Sequence, residues 1–411
     1  MDVTAICRSC GARNLELVLS LGSTPLANSL LRADQLDQTE ARYPLDLVFC
    51  PTCTLVQITE TVPPEQLFSD YLYFSSFSET LLAHARELCA RMTTQEHLGP
   101  DSSVMEIASN DGYLLQYYKA AGIPVLGIEP AQNIAKVAIE KHGIPTRSEF
   151  FGLRLAQQLT AEGRRADVVH ANNVLAHVAD LNGFVAGIRE ILKEDGVAAF
   201  EFPYLGDMIE HCEFDTIYHE HLCYYSLGAL SHLFTRHGLK AVEVDRVSIH
   251  GGSLLLQVVR TESTRIPGVS VAALLADERK LGMDKPEFYR GFGRRVREIK
   301  DRLRALLGQL KAEGKRIAAY GAAAKGSTLL NTYGIGAETL DFIADRSTYK
   351  QGRYMPGVRV PIVPPSRLCE SMPDYVLLLT WNFADEILRQ QDEYRRKGGK
   401  FIIPIPDVTI V

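Results

Sequence analysis

Residues 102–130, SSVMEIASNDGYLLQYYKAAGIPVLGIEP, leave this chain few ways to fold. The apolar run, the small polar loop, the helically spaced stretch and the second apolar run predict strand (104–108), loop (109–112), helix (113–121) and strand (125–129). Two short parallel strands joined through a helix need a right-handed crossover and helices on both faces. The middle of the chain is therefore expected to be a Rossmann-like, doubly wound α/β sheet. Further strands are expected at 167–171, 196–202, 240–245 and 253–259, with a helix at 78–92 before the first. The last two strands lack an intervening helix, so they are expected to pair antiparallel at an edge.

A chain of 411 residues has room for more than this sheet. Two CxxC knuckles open it, Cys7 with Cys10 and Cys50 with Cys53, separated by the insertion GSTPLANSLLRADQLDQTEARY. Four thiolates with no histidine nearby predict a closed, tetrahedral, structural Zn2+ site. Cys89, Cys212, Cys223 and Cys369 are scattered and read as buried. After residue 261, an amphipathic helix is expected over 287–312, with Phe288, Phe292, Val296, Ile299, Leu303 and Leu306 on one face. KRIAAYGAAAKGSTLLNTYGI then reads as strand, tight turn and helix, and LDFIADR and DYVLLLTW as later strands. The expected domains are 1–67 (zinc-binding), 68–261 (central sheet) and 262–411 (a second Rossmann-like α/β unit).

A net charge of -6 argues against nucleic acid as the partner. No apolar run approaches the ~18 residues of a membrane helix, and the N-terminus lacks a signal peptide's charged and apolar regions. A cytoplasmic protein is expected, with no membrane partner. Nothing in the apolar pattern demands a dimer, so a monomer or weak homo-oligomer is expected.

The loop after the first central strand is where such sheets bind nucleotides, and a strand-ending acid, Glu129, can take both ribose hydroxyls. A dinucleotide site typically needs G-x-G-x-x-G for its pyrophosphate. This loop has one glycine, Gly112, and the pair Asn110-Asp111. It suits S-adenosylmethionine better than a nicotinamide, with Glu106, Ala108, Asn110, Gly112, Glu129 and Pro130 as donor contacts. Asn172 and Asn173 are expected at the carboxyl edge of a neighbouring strand, and His177 a turn later, where an asparagine helix cap is the plainer alternative. In FDTIYHEH, Tyr218, His219, Glu220 and His221 are expected to form a proton-transfer cluster. Tyr218 and His221 are three apart and are expected on one helical face, with Glu220 orienting the imidazole. Methylation of saturated carbon needs such a cluster, because a proton α to a carbonyl must leave first. Transfer to oxygen or nitrogen and a nicotinamide-dependent sugar oxidoreductase are the alternatives. YGAAAKGSTLLN does not match a Walker loop. A small-residue turn entering a helix still suits an anion, so Lys325, Ser327 and Thr328, with Arg346, Lys350 and Arg353, are expected to hold a diphosphate.

Taken together, the two knuckles, EIASNDGYLL, NNVLAHVAD, FDTIYHEHLCYYS, SIHGGSL and YGAAAKGSTLLN resemble the sugar C-methyltransferases of deoxysugar biosynthesis, in the same order and over nearly the whole chain. Within that family the chain is most similar to the branch that methylates C-3 of a thymidine-diphosphate-linked 4-keto sugar in tetronitrose biosynthesis. Related enzymes methylate C-5. The resemblance implies three domains, with the last helping to bind the nucleotide sugar. It implies His221 as the base, with Tyr218, Glu220 and His177 beside it. It also implies a tyrosine that reaches the sugar (Tyr73, with Tyr71 second) and His250 on the substrate side. Ala108 stands where the family often has glycine.

Overall fold

The computed structural model describes residues 5–68 and 74–411. In the first sheet, β1 (Glu16–Thr24), β2 (Tyr43–Phe49) and β3 (Val56–Ile58) run antiparallel. The two knuckles lie at its strand ends. Each closes in a tight turn, with the Gly11 and Thr54 N–H groups donating to the carbonyls of Cys7 and Cys50.

The helix Glu79–Gln95, capped by the Ser78 hydroxyl, leads into the central sheet. Its strands are β4 (Val104–Ile107), β5 (Val125–Ile128), β6 (Thr146–Arg147), β7 (Ala166–Asn172) and β8 (Leu192–Pro203). After β9 (Cys223–Tyr224), β10 (Leu239–Val247) and β11 (Ser253–Arg260) complete it. The spatial order is β10-β11-β8-β7-β4-β5-β6. Neighbours from β8 to β6 are parallel, and the expected antiparallel pair sits at one edge. The order reverses between β4 and β7, which opens a crevice at their carboxyl ends.

The third sheet repeats the arrangement. It contains β12 (Ile317–Tyr320), β13 (Ile343–Ala344), β14 (Ile362–Val363), β15 (Tyr375–Leu378), β16 (Lys400–Ile403) and β17 (Thr409–Ile410), ordered β14-β13-β12-β15-β16-β17. Only β17 is antiparallel to its neighbour, and the reversal here falls between β12 and β15.

β9 leaves the central unit. It pairs with β3, Gln57 opposite Cys223 and Val56 opposite Tyr224, and becomes the fourth strand of the first sheet. The insertion between the knuckles crosses to the third unit, where Leu31 bridges Tyr354 and Glu40 accepts the Gly357 N–H at 2.8 Å.

Three local expectations are corrected. The helix expected over 287–312 begins at Phe292, after a separate turn Pro286–Tyr289. Its core face continues from Leu303 to Leu307 and Leu310, four and then three residues on, which leaves Leu306 only partly covered. Cys369 is only half-buried, whereas Cys89, Cys212 and Cys223 are buried.

Candidate active site

A cavity of about 810 Å³ is lined at once by loops from all three sheets. On the central sheet's side, Ala108 and Asn110 take left-handed backbone (φ 55 and 49), so the loop after β4 curls tightly. Such a conformation costs a non-glycine residue about 1–2 kcal/mol. Gly112 (φ 82) lies behind the wall, and a Cβ there would come 2.9 Å from the Ile144 side chain. Its glycine therefore serves packing as well as the turn. Glu129 reaches the wall and accepts N–H groups from Asn110 (3.0 Å) and Ala131 (2.9 Å). Burial pushes its carboxyl up to about 7 against those two bonds. Pro130 lies beside it. Glu106 does not line the cavity. It is buried in β4, where burial and then the Asp111 charge hold its carboxyl well above the usual range.

Asn172 and Asn173 face the cavity from the end of β7. The Asn172 Oδ1 is buried with no protein partner. Asn173 (φ 53) donates its backbone N–H to the Glu201 carbonyl at 2.6 Å. No asparagine caps the next helix: Asp180 caps Leu181–Ile191, and His177 ends a separate 3-10 turn, Leu175–His177.

The cluster in FDTIYHEH is not helical. A 3-10 turn spans Phe214–Thr216, and a later turn is closed by the His221 N–H donating to the Tyr218 carbonyl at 2.8 Å. The two side chains meet across that turn, with the Tyr218 hydroxyl 2.8 Å from His221 Nε2. His221 Nδ1 lies 2.8 Å from the Thr216 carbonyl. A carbonyl only accepts, so the proton sits on Nδ1 and the lone pair on Nε2. The His177 ring stands edge-on to His221, centroids 4.7 Å apart, and burial draws its pKa down to about 4, which keeps it neutral. Glu220 does not orient His221. Its Oε1 accepts from Asn28 Nδ2 at 2.7 Å, and burial pushes its carboxyl up to about 7. His219 turns away to the Pro44 carbonyl, 3.0 Å from its Nε2.

From the third sheet, Lys325, Lys350 and Arg353 line the cavity beside the start of the helix Ala324–Tyr333. Lys350 Nζ donates to the Ala322 carbonyl at 2.8 Å. Ser327 and Thr328 are buried in that helix, off the wall, and Arg346 pairs with Glu386 at 3.6 Å instead of lining it. Tyr71 and Tyr73 lie outside the described residues, as does the His250 side chain, whose backbone belongs to the turn Ile249–Gly251. The sequence reading missed Leu26, Asn28 and Leu30 from the knuckle insertion, and Thr380, Asn382 and Phe383 after β15. The second group follows a strand at a switch point, which was a usable signal. The first had none.

The four knuckle sulfurs lie within 4.8 Å of one another, Cys7 to Cys53 at 3.5 Å and Cys10 to Cys50 at 3.6 Å. The Cys53 sulfur draws the Cys7 thiol down, while burial pushes Cys50 up. Four thiolates this close repel one another unless a cation sits among them. The geometry and donor set therefore fit a tetrahedral zinc ion. Among the described residues no helix is long and apolar enough to cross a membrane.

Residues 7–68 match a family model described as a putative zinc binding domain, 78–244 a methyltransferase domain, and 248–406 a C-methyltransferase C-terminal domain. The chain is 36% identical over 405 residues to the C-methyltransferase NovU of Streptomyces niveus, covering 98% of this chain and 96% of that protein. It is 29% identical over 116 residues to a ubiquinone biosynthesis O-methyltransferase of Methylobacterium, a match spanning 26% of this chain and 45% of the relative. Among solved structures, magnesium protoporphyrin IX methyltransferase from Synechocystis with bound SAM covers 44% of this chain and 79% of its own (15% identity, TM-score 0.34). YcgJ from Bacillus subtilis also covers 44% of this chain, over 100% of its own length (12% identity, TM-score 0.35).

Proposed function

The chain belongs to the S-adenosylmethionine-dependent C-methyltransferase family that includes NovU, and we propose that it methylates C-3 of a nucleotide-linked 4-keto-6-deoxy sugar, thymidine diphosphate being the favoured carrier. One observation carries this reading. A single cavity is bordered by the switch-point loops of two sheets and by the Tyr218–His221 pair. Two ligands of different kinds are expected at two such crevices. The β4 and β7 loops, with Glu129 and the unpartnered Asn172 Oδ1, suit the ribose and amino-acid end of adenosylmethionine. The β12 and β15 loops, with Lys325, Lys350 and Arg353, suit a diphosphate.

His221 is assigned as the base. Its Nε2 lone pair takes the proton at C-3, the C–H electrons move into a carbon–carbon double bond, and the ketone oxygen at C-4 becomes an enolate oxygen. Tyr218, released from His221 Nε2 as that nitrogen turns to the substrate, donates its O–H to this oxygen. Neutral His177 packs against the imidazole, and the Thr216 carbonyl holds Nδ1–H while positive charge develops on the ring. Bound adenosylmethionine would supply an electrophilic methyl on sulfonium sulfur, the sulfur–methyl bond breaking to leave adenosylhomocysteine as the enolate carbon takes the methyl and the C-4 ketone re-forms. C-5 also flanks the C-4 ketone, so carbon NMR of the product decides between the two positions.

The test is His221→Asn. General-base catalysis contributes roughly 10²–10⁴-fold. The variant should lose at least about a hundredfold in methyl transfer, and lose solvent-deuterium exchange at the α-carbon, while binding adenosylhomocysteine like the parent. Full activity in His221→Asn rules this base out. A product methylated on oxygen, on nitrogen or on a carbon that does not flank the C-4 ketone rules out the enolate route.

A further inference from the structure

The loop bearing Tyr218 and His221 is held at its tip by the first sheet and at its root by the third. At the root, the Trp381 indole N–H donates to Asp215 Oδ2 at 2.7 Å. Asp215 is fully buried and its Oδ1 has no protein partner. The next residue is Thr216, whose carbonyl meets His221 Nδ1. On the other side of Asp215, Phe214 stacks on Tyr333, centroids 4.8 Å apart. Trp381 follows β15, and Lys325 Nζ lies 4.9 Å from the centre of its ring. A continuous chain of contacts thus runs from Lys325 through Trp381, Asp215 and Thr216 to His221.

Packing alone does not call for this pair. Apolar groups of the same shape hold a loop about as well, without the cost of desolvating a carboxylate. What a hydrogen-bonded pair adds is direction. Burial pushes the Asp215 carboxyl up to about 6, with the Lys325 charge and then the indole bond opposing, so near neutrality it accepts the indole N–H as a carboxylate.

We propose that Trp381 is a positioning residue for the base: through Asp215 it fixes the Thr216 carbonyl, which keeps the His221 proton on Nδ1 and the lone pair on Nε2. The domain assigned to the nucleotide sugar thereby sets the geometry of the base. This rests on the reading of His221 given above.

Trp381→Phe keeps a ring and removes only the N–H and the indole's excess bulk. Small displacements of reacting groups cost up to about a hundredfold. The expected result is a kcat lower by about 10–100-fold, with the adenosylmethionine KM within about twofold and α-proton exchange falling in step. Side-chain ¹⁵N shifts should move from the pure Nδ1–H tautomer to a mixture, the His221 signals being identified by their loss in His221→Asn. Asp215→Asn, which still offers an oxygen to the indole, should keep most of kcat. Asp215→Leu should match Trp381→Phe, and the double variant should be no worse than either. An unchanged kcat and tautomer in Trp381→Phe, with only stability or KM altered, overturns the proposal. If that variant is not recovered folded, equal kcat in Asp215→Asn and Asp215→Leu overturns it instead. A dead His221→Asn beside an unimpaired Trp381→Phe refutes the positioning role alone, whereas an active His221→Asn refutes the base itself.

Discussion

Replacing Asn28 with alanine removes the hydrogen bond from its Nδ2 to Oε1 of Glu220, a carboxyl only 3% exposed whose Oε2 has no protein partner. Burial pushes Glu220 from 4.5 up to about 7, and Asn28, followed by Lys350, holds it down. A hydrogen bond to an ionised acceptor contributes about 1.5–3 kcal/mol, and to a neutral one about 1. The difference, roughly 0.5–2 kcal/mol, is lost by the ionised form alone. At 1.36 kcal/mol per pH unit, the Glu220 pKa rises by roughly one unit. The folded chain binds this proton more tightly than the unfolded chain does. Stability therefore falls as pH rises from about 4.5 to about 7 in the parent, by roughly 3 kcal/mol, and keeps falling to about 8 in the variant. The variant's deficit is then about 1 kcal/mol at pH 5 and about 1.5–3 kcal/mol at pH 9. Urea midpoints from pH 5 to 9, with Glu220→Gln as the control that cannot titrate, measure this. The kcat–pH limb that vanishes in Glu220→Gln should move up by about one unit in Asn28→Ala. An equal deficit at both ends of the range, or an unmoved limb, refutes the coupling.

Lys350→Gln and Arg353→Gln should each raise KM for the nucleotide sugar by about tenfold or more, since a charge-assisted phosphate contact is worth at least ~1.5 kcal/mol. Steady-state kinetics should find kcat and the adenosylmethionine KM within about twofold of the parent; a kcat effect with unchanged KM removes these residues from the anion site. Chelating the zinc should abolish methyl transfer while calorimetry still finds adenosylhomocysteine bound, because β9 is paired to the first sheet and the β4 loop is not. Refilling with cobalt should restore activity and give the charge-transfer bands of a tetrahedral thiolate site; a metal-free protein that still methylates refutes the dependence.

What the sequence disclosed, and what it hid, follows from where each residue's partners lie. The strand–loop–helix–strand run at 102–130 was legible because its cues are local: apolar periodicity, a small-residue loop and a strand-ending acid. The four cysteines were legible because metal ligation leaves a spacing. Tyr218 and His221 were visible as a pair, yet their geometry was misread, since a separation of three suggests a helix. That segment cannot stay helical. Its continuation is taken as a strand by β3, the Ile58 N–H reaches the Leu222 carbonyl at 3.0 Å, and the Leu222 N–H is spent on the Ala176 carbonyl at 2.7 Å. Glu220 was assigned to its sequence neighbour, but its partner Asn28 lies 192 residues away in the loop between β1 and β2. Lys325 was read only as an anion ligand, although Trp381, whose ring it lies over, also holds the root of the loop. For the Tyr218–His221 segment and for Glu220 the hidden partner belongs to the first unit, and for Lys325 it follows a different strand of the same sheet. A buried polar group must be satisfied by whatever tertiary structure brings to it, and no local window of sequence contains that information. The residues hardest to read are therefore those that couple the three units at the cavity, and Asn28 and Trp381 are where substitution should separate the chemistry from the scaffold.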